Sequence, residues 1–382
     1  MARRASRANA PSVHPQCDSP GLRGALTTLP AGRRADAVVS SPAMGKSVVL
    51  ITGSNGEIGH SLIHQLAAEG RYQVVSLDLT PAPESIRSKC LASYAGNIMD
   101  RYLMDQIAAH HEIDAVFHLA ALLSTRGERD PELAHQVNVE GTLNLLRAAQ
   151  QQSARLGRSV KFLFPSSIAV YGLPDLATKA RAGRVKEDEH TVPVTMYGCN
   201  KLYCEHLGRY YTHFHRQLGA LSGVARLDFR SLRFPGLISA DTVPTGGTSD
   251  FGPEMLHAAA KGEPYACFVG EGAQIPFMAM PDAVAALTTL LDADQARLSR
   301  VVYNVSGFSL SAGQIAEHVK RHFPKADITY APDVVREKIV DSWPADVDDS
   351  AARADWGFAP AFDAERAFAE YLVPRIRSRY VR

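Results

Sequence analysis

A buried strand, a glycine-rich turn and a helix follow one another near residue 50, and this succession constrains the fold more than any other feature. Residues 47–51 form a continuous apolar run, which is typical of a strand buried in a parallel sheet. Apolar residues then recur with helical spacing from Ile58 to Ala67. Glycines in such a turn allow a tight bend, close approach to a pyrophosphate and close helix packing. The pattern predicts that a dinucleotide binds at the helix N-terminus, through Gly53, Ser54, Asn55, Gly56, Glu57, Ile58 and Gly59.

The second apolar run, residues 72–77, ends in Asp78, about 20 residues past the glycine turn, where dinucleotide-binding folds carry an acid. A carboxylate at this position accepts hydrogen bonds from the adenine ribose hydroxyls and repels a 2′-phosphate. No arginine follows in Leu79 and Thr80 to attract that phosphate. We therefore expect NAD rather than NADP as the cofactor. The alternative is that Asp78 only ends the strand in a turn.

Two further runs, residues 94–98 and 115–121, are also strand-like. Asn97 and Ile98 would flank the adenine, with a polar group on one side and an apolar group on the other. Small residues at the end of the later run would let the cofactor lie close to the backbone. The predicted contacts there are Leu119, Ala120 and Ala121.

Two polar residues in apolar surroundings have structural as well as functional interpretations. His118 is expected to be a packed, hydrogen-bonded histidine, because no second ligand stands at metal-ligand spacing. No metal site is predicted. Asn138 lies in a helix predicted from Asp130-Pro131 to about Gln152. It is either a polar core residue or part of a cofactor site and proton relay.

Tyr197 and Lys201 stand four residues apart, so on a helix their side chains share one face. A nearby ammonium favours the phenolate, so the tyrosine pKa should fall from about 10 towards working pH. Such a group can take a proton from an alcohol. A strand at residues 160–165 ends in Ser166 and Ser167, which should point to the same cleft. The alternative for the Tyr-Lys pair is an ordinary turn of an amphipathic helix.

Composition and charge exclude several classes of function. Hydrophobic content of 46% and charged content of 21% are those of a globular protein, and a net charge of +1 suggests neither nucleic acid nor a membrane surface as partner. No apolar run approaches the roughly 20 residues of a membrane span. The five cysteines are scattered and odd in number, which argues for a reducing compartment and against a disulfide framework or zinc site. A cytoplasmic location is expected.

Residues 1–43 differ from the rest of the chain. They contain six arginines, no lysine and only Asp18 and Asp36 as acids. Arg-rich, acid-poor composition occurs in mitochondrial transit peptides, which would place the protein in the matrix. The simpler interpretations, which we favour, are a disordered tail or upstream sequence preceding a start at Met44.

Together these stretches resemble the extended short-chain dehydrogenase/reductase family, which includes the UDP-galactose 4-epimerase-like enzymes. The resemblance implies an α/β fold, a doubly wound Rossmann-type parallel sheet with a smaller C-terminal substrate-binding domain. We expect residues 44–235 to bind NAD and residues 236–382 to bind substrate, with some segments returning to the first domain. In that family the serine matched by Ser167 is catalytic. The matching elements are Thr52-Gly53-x-x-Gly56-x-x-Gly59, Asp78, His118-Leu119-Ala120-Ala121, Asn138-Val139-x-Gly141-Thr142, Ser166-Ser167-x-x-Val170-Tyr171-Gly172 and Tyr197-x-x-x-Lys201.

Within this family the second half is most similar to the short-chain type of L-threonine 3-dehydrogenase, over residues 227–241, 246–251, 257–261 and 342–350. The similarity implies NAD-dependent oxidation of the 3-hydroxyl of L-threonine or a related 3-hydroxy acid. It implies Tyr197 as base and Lys201 on the nicotinamide ribose. Ser124, Thr248 and Trp343 would be substrate contacts, although Trp343 has simple packing as an equal alternative. Two features depart from the animal enzymes, namely the N-terminal extension and a polar segment at 173–194. We expect this segment to be a loop that covers the site.

Two other functions are open at this stage. A sugar-nucleotide epimerase or reductase would share the fold, but residues 274–282 lack the arginine that would hold a diphosphate. A non-catalytic NAD-binding regulator would need no proton acceptor, so the Ser, Tyr and Lys set argues against it. Helices at 131–152 and 195–216 would leave apolar faces exposed, and in this family such helices commonly pair, so a homodimer is expected.

Overall fold

The structure, a computed structural model, describes residues 46–218, 226–244 and 246–380. The predicted N-terminal extension lies outside the described residues. The strands of the described part are β1 (Ser47–Thr52), β2 (Tyr72–Asp78), β3 (Ala92–Ala95), β4 (Ile113–His118), β5 (Lys161–Ser167), β6 (Arg184–Val185), β7 (Asp228–Phe234), β8 (Gly236–Ile238), β9 (Tyr265–Cys267), β10 (Gln274–Ala279), β11 (Val302–Asn304), β12 (Phe308–Ser311), β13 (Ile328–Tyr330) and β14 (Asp346–Val347).

Helices connect most of these strands, and four short turns of π or 3₁₀ geometry adjoin them. The π turns are Gln136–Glu140 and Ala367–Leu372, and the 3₁₀ turns are Ile168–Val170 and Gln295–Arg297. The α-helices are α1 (Glu57–Glu69), α2 (Glu84–Arg87), α3 (Arg101–His110), α4 (Ser124–Arg129), α5 (Pro131–His135), α6 (Gly141–Leu156), α7 (Leu176–Ala182), α8 (Met196–His213), α9 (Phe251–Lys261), α10 (Met280–Asp292), α11 (Ala312–His322), α12 (Val334–Asp341), α13 (Ser350–Trp356), α14 (Ala364–Arg366) and α15 (Val373–Tyr380).

Seven strands form the central sheet in the order β11-β7-β5-β4-β1-β2-β3, and every neighbouring pair is parallel. The apolar runs are buried on both faces, as the sequence predicted: Val49 and Ile51 pack in one core and Leu50 in the other. The strand order reverses between β1 and β4, which is where doubly wound sheets bind ligands. The predicted doubly wound α/β fold is confirmed.

Residues after 235 contribute both a second sheet and the last strand of the first. The second sheet has the order β12-β10-β8, and β9 pairs with β13. Strand β11 returns to the central sheet beside β7, in keeping with the expectation that some later segments do so. The boundary at residue 235 stays a prediction.

Local side-chain bonds fix the starts of several helices. Ser311 and Gln314 form a capping box at α11. The segment at 173–194 is not a plain loop, because it contains α7 and β6, and Asp175 caps α7 by accepting from the Thr178 N–H. Among the described residues, none of the helices is both long and apolar enough to cross a membrane.

Candidate active site

A cavity of about 610 Å³ opens at the carboxyl ends of β1, β2, β4 and β5. It brings together residues that are far apart in the chain, and Ser54 and Asn138 are the predicted site residues that do not line it. The predicted residues that line the cavity are Gly53, Asn55, Gly56, Glu57, Ile58, Gly59, Asp78, Asn97, Ile98, Leu119, Ala120, Ala121, Ser124, Ser166, Ser167, Tyr197, Lys201, Thr248 and Trp343.

The glycine turn forms one end of this cavity. Gly53 has φ +70°, and a Cβ there would lie 2.6 Å from the backbone nitrogen of Ala120. A Cβ on Gly59 would lie 2.7 Å from the carbonyl oxygens of Gly53 and Ser54. The first N–H groups of α1 have no intrahelical partners. The backbone here is therefore bare and rich in donors, and it fits the pyrophosphate of a dinucleotide.

Asp78 ends β2 beside the glycine turn. Its Oδ2 accepts a hydrogen bond from the Asn55 N–H at 2.9 Å. The Asn55 amide in turn donates to the carbonyl and hydroxyl oxygens of Thr80, both at 3.0 Å. These bonds hold the Asp78 carboxylate at the cavity, where the ribose of a bound dinucleotide would lie.

Helix α8 carries the tyrosine and lysine. Thr195 caps it, since the Thr195 hydroxyl accepts from the Gly198 N–H at 3.1 Å. A side chain at Gly198 would collide with the backbone of Ala169, so the helix can approach the end of β5 only with glycine there. The Lys201 Nζ lies 5.5 Å from the Tyr197 ring centroid, as the four-residue spacing predicted. It donates to the Pro165 carbonyl at 2.6 Å.

The protonation of this pair differs from the sequence-based expectation. Burial raises the pKa of Tyr197 to about 12, although a hydrogen bond with Ser167 acts in the opposite direction. Burial also lowers the pKa of Lys201 to about 8, although the nearby Cys204 and Glu205 act to raise it. The predicted fall in the tyrosine pKa is therefore wrong for the protein without cofactor. Burial is the largest cause of both shifts, and the ammonium of Lys201 donates to a backbone carbonyl rather than to a carboxylate.

The two serines at the end of β5 have different partners. Ser166 Oγ donates to Glu205 Oε1 at 2.5 Å, and Glu205 is paired with Arg233 through two bonds of 2.9 and 2.7 Å. Glu205 and Arg233 are both buried. Ser167 Oγ instead accepts from the Ala169 N–H at 3.2 Å, and Ser167 is close enough to Tyr197 to counter the rise in the pKa of that tyrosine. The geometry thus favours Ser167, rather than Ser166, as the hydroxyl that contacts a substrate.

Sequence reasoning missed the buried pair of Glu205 and Arg233. Two signals for this pair were available in the sequence. Glu205 follows Lys201 by four residues and so shares its helix face. Arg233 stands in the otherwise apolar end of β7. The pair supports the strand end from which Ser166 and Ser167 project.

Asn138 has a structural role in this arrangement. Its amide donates to the Leu122 carbonyl at 3.0 Å and accepts from the Leu122 N–H at 2.7 Å. It therefore clamps the segment after β4, which agrees with the polar-core interpretation. Ser54, predicted to contact the cofactor, does not line the cavity either, because its side chain is buried. Its hydroxyl has no hydrogen-bond partner among the described residues.

His118 is the packed histidine that the sequence indicated. Its ring nitrogens bond the hydroxyls of Thr52 and Thr142 at 2.8 and 2.9 Å. Burial and the charge of Lys201 lower its pKa to about 3, so the ring is neutral. Within residues 46–218, 226–244 and 246–380, no group of three or more His, Cys, Asp or Glu side chains is arranged to hold a metal.

The other end of the cavity is formed by the predicted substrate contacts. The hydroxyls of Ser124 and Thr248 lie 3.0 Å apart. Trp343 is buried and lines the cavity, and its Nε1 has no hydrogen-bond partner within the described part of the chain. Arg336, which sequence reasoning missed, donates to the Gly247 carbonyl at 2.9 Å and stacks on Phe268. It holds the segment that carries Thr248.

Comparison with known proteins settles the family. Residues 49–306 match the NAD dependent epimerase/dehydratase family. The chain belongs to that family. Membership implies a nicotinamide cofactor, which agrees with the bare, donor-rich turn described above, and it confirms the resemblance that the motifs indicated.

Relatives within the family are similar over most of the chain. The mitochondrial L-threonine 3-dehydrogenase of Sus scrofa is 33% identical, over 91% of this chain and 88% of its own. Among solved structures, a monomeric L-threonine 3-dehydrogenase from a metagenome has 33% identity and a TM-score of 0.76, covering 87% of this chain and all of its own. The GalE-like L-threonine dehydrogenase of Cupriavidus necator, in its holo form, has 34% identity and a TM-score of 0.74, covering 87% and 99%.

Proposed function

We propose that the protein oxidises the 3-hydroxyl of L-threonine to 2-amino-3-oxobutanoate with NAD. One observation carries this proposal. Tyr197, Lys201 and Ser167 meet in a single cavity that also contains the glycine turn and Asp78. Similarity to enzymes named L-threonine 3-dehydrogenase supports the choice of substrate.

The chain's own residues would move the proton. A bound NAD would supply the hydride acceptor for the carbon that bears the hydroxyl. Tyr197 takes the hydroxyl proton, and Ser167 hydrogen-bonds the reacting oxygen. With the positive charge of a bound cofactor, Lys201 would counter the burial that raises the pKa of Tyr197. Positioned acid–base groups of this kind typically contribute about 10²–10⁴-fold in rate.

The residues at each end of the cavity suggest what else is bound. Asp78 supports NAD rather than NADP, because its carboxylate repels a 2′-phosphate. Ser124, Thr248 and Trp343 would contact the substrate, with two hydroxyls for polar groups and one aromatic wall. Since Thr248 and Trp343 come from the later half, we also propose that residues 44–235 bind the cofactor and residues 236–382 supply most of the substrate side.

An NADH-absorbance screen over L-threonine, related 3-hydroxy amino acids and UDP-sugars tests the proposal. The expected result is NADH formation with L-threonine and NAD, and loss of most turnover in Tyr197→Phe. Turnover of that variant within a few-fold of wild type would refute the assignment of the base. Turnover of UDP-sugars alone would favour the epimerase or reductase alternative, and binding of NAD without any turnover would favour the regulator.

We infer a homodimer from exposed apolar residues on neighbouring helices. On α5, α6 and α8 these include Leu133, Leu143, Tyr203 and Tyr210. Light scattering should give twice the chain mass, and a monomer at micromolar concentration would contradict the inference.

We further propose a cytoplasmic protein, with the mitochondrial matrix as the alternative if residues 1–43 are a transit peptide. N-terminal sequencing of the native protein tests the transit-peptide alternative. A mature start near Met44 is compatible with cleavage or with a later start, whereas a start within the first few residues excludes both.

A further inference from the structure

The segment around α7 contacts the far side of the cavity wall rather than the cavity itself. No residue between 170 and 196 lines the cavity. Instead, the Leu173 N–H donates to the Ser342 carbonyl at 2.8 Å, and Lys179 Nζ donates to the Val340 carbonyl at 3.1 Å. Both acceptors lie within three residues of Trp343. The segment thus holds the chain that presents this side chain to the cavity.

Lys179 is unusual because it is a buried lysine, with only 5% of its surface exposed. Burial lowers its pKa to about 8, opposed only by the charge of Asp341. Its acceptor lies in the last turn of α12, where carbonyl groups lack intrahelical partners and the helix dipole is negative. A cation is therefore favourable beside the Val340 carbonyl. Helix α12 ends at Asp341, two residues before Trp343.

A second set of bonds holds the chain on the other side of Trp343. Strands β6 and β14 are paired, with Val185 opposite Val347. The Asp348 N–H donates to the Val185 carbonyl at 2.9 Å, and Arg184 Nη2 forms an ion pair with Asp349 at 2.8 Å. The chain is therefore held both before and after Trp343 by one short stretch, residues 173–185.

We propose that residues 173–185 form a buttress that fixes Trp343 as the substrate-side wall, with Lys179 as a positioning residue for substrate binding. This role rests on the proposed function, because it assigns the substrate to the Trp343 end of the cavity. Lys179 does not line the cavity and takes no part in proton transfer. The bonds of the buttress described above go to the chain around Trp343 and not to the glycine turn or Asp78, so we expect it to act on the substrate and not on the cofactor.

The first test compares Lys179→Met with Lys186→Met. Methionine keeps the apolar length of lysine but cannot donate to the Val340 carbonyl. Lys186 is an exposed lysine just beyond the buttress, so it is a matched control. We expect the KM for L-threonine to rise about tenfold in Lys179→Met, equivalent to about 1.4 kcal/mol. The kcat and the KM for NAD should stay close to those of Lys186→Met.

Two results would overturn the buttress. One is a KM for L-threonine in Lys179→Met equal to that of the control. The other is a parallel rise in the KM for NAD, which would mean general damage to the fold. If Lys179→Met does not fold, Arg184→Met tests the same attachment through a partly exposed side chain, with the same expected rise in the KM for L-threonine.

A second measurement is independent of the substrate. The chain has two tryptophans, so Trp356→Phe leaves Trp343 as the only one. In that background, Lys179→Met should move the Trp343 emission to longer wavelength and increase its quenching by acrylamide, whereas Lys186→Met should not. If wild-type protein fails to oxidise L-threonine but this shift occurs, the proposed function is wrong and the buttress stands. Unchanged emission and quenching would refute the buttress itself.

Discussion

Ser166 and Ser167 are neighbours with the same side chain, yet the structure predicts opposite consequences for their removal. Ser167 lines the cavity together with Tyr197 and acts to lower the pKa of that tyrosine. Ser167→Ala should therefore remove a donor that acts on the reacting oxygen. A lost donor of this kind costs about 10²–10³ in kcat, or about 2.7–4 kcal/mol. The free energy of unfolding should change little, because Ser167 is only partly buried.

Ser166→Ala should have the reverse pattern. Its hydroxyl donates to the buried carboxylate of Glu205, and hydrogen bonds to charged groups contribute about 1.5–3 kcal/mol to stability. Glu205 keeps its two bonds to Arg233, so the loss should not exceed that range. Since this hydroxyl is turned towards the ion pair, kcat should stay close to that of the wild type.

The assay is kcat at saturating L-threonine and NAD, measured for both variants beside urea unfolding of each. The double variant should show the sum of the two effects only if the serines act independently. A loss of kcat in Ser166→Ala as large as that in Ser167→Ala would refute the assignment of separate roles. So would a Ser167→Ala protein with normal kcat.

Four further predictions follow from the same geometry. Arg233→Met should lower the free energy of unfolding in urea by about 3–5 kcal/mol, since it leaves a buried carboxylate unpaired. The control Arg71→Met removes an exposed ion pair and should cost much less stability; equal losses in the two variants would contradict the burial argument. Gly53→Ala should abolish or strongly weaken NAD binding in a fluorescence titration, because φ is +70° and a Cβ meets backbone. Asp78→Ala should raise kcat/KM with NADP relative to NAD, and an unchanged ratio would remove Asp78 from ribose recognition. As the pH rises from 8 to about 10.4, the free energy of unfolding of the wild type should increase relative to that of Lys201→Met. In this range the unfolded lysine still holds a proton that the buried lysine, with a pKa of about 8, has lost. Parallel curves of unfolding free energy against pH would contradict this.

The motifs predicted the ends of β1 and β2 well because their chemistry is local, whereas β3 and β4 each end three residues before the ends of the predicted runs at 94–98 and 115–121. A glycine turn is defined by its own backbone conformation. The position of the acid at the end of β2 depends only on the pairing of β2 with its neighbouring strand. Helix spacing likewise brought Tyr197 and Lys201 onto one face of α8. These features depend on a few adjacent residues and on the alternation of apolar runs, so they can be read before the chain is folded.

The failures arose where distant segments meet. The pKa of Tyr197 depends on how much water the folded protein excludes, and spacing along a helix carries no information about that. Asn138 had two interpretations in the sequence, a polar core residue or part of a cofactor site, and only its bonds to Leu122 in the folded chain favour the first. The segment at 173–194 was expected to cover the site as a loop, whereas it contains a helix and contacts the wall from outside.

The sequence alone determined the doubly wound fold, the family and most residues of the cavity, because strand ends and helix faces follow from local pattern. Only the tertiary structure decided which of the two adjacent serines faces Tyr197, since it pairs Ser166 with Glu205 of α8, which in turn is paired with Arg233 of β7. It also decided how Trp343 is held, because Lys179 and the carbonyl of Val340 are 161 residues apart in the chain. Contacts of that separation depend on packing of the whole domain, which no local pattern encodes.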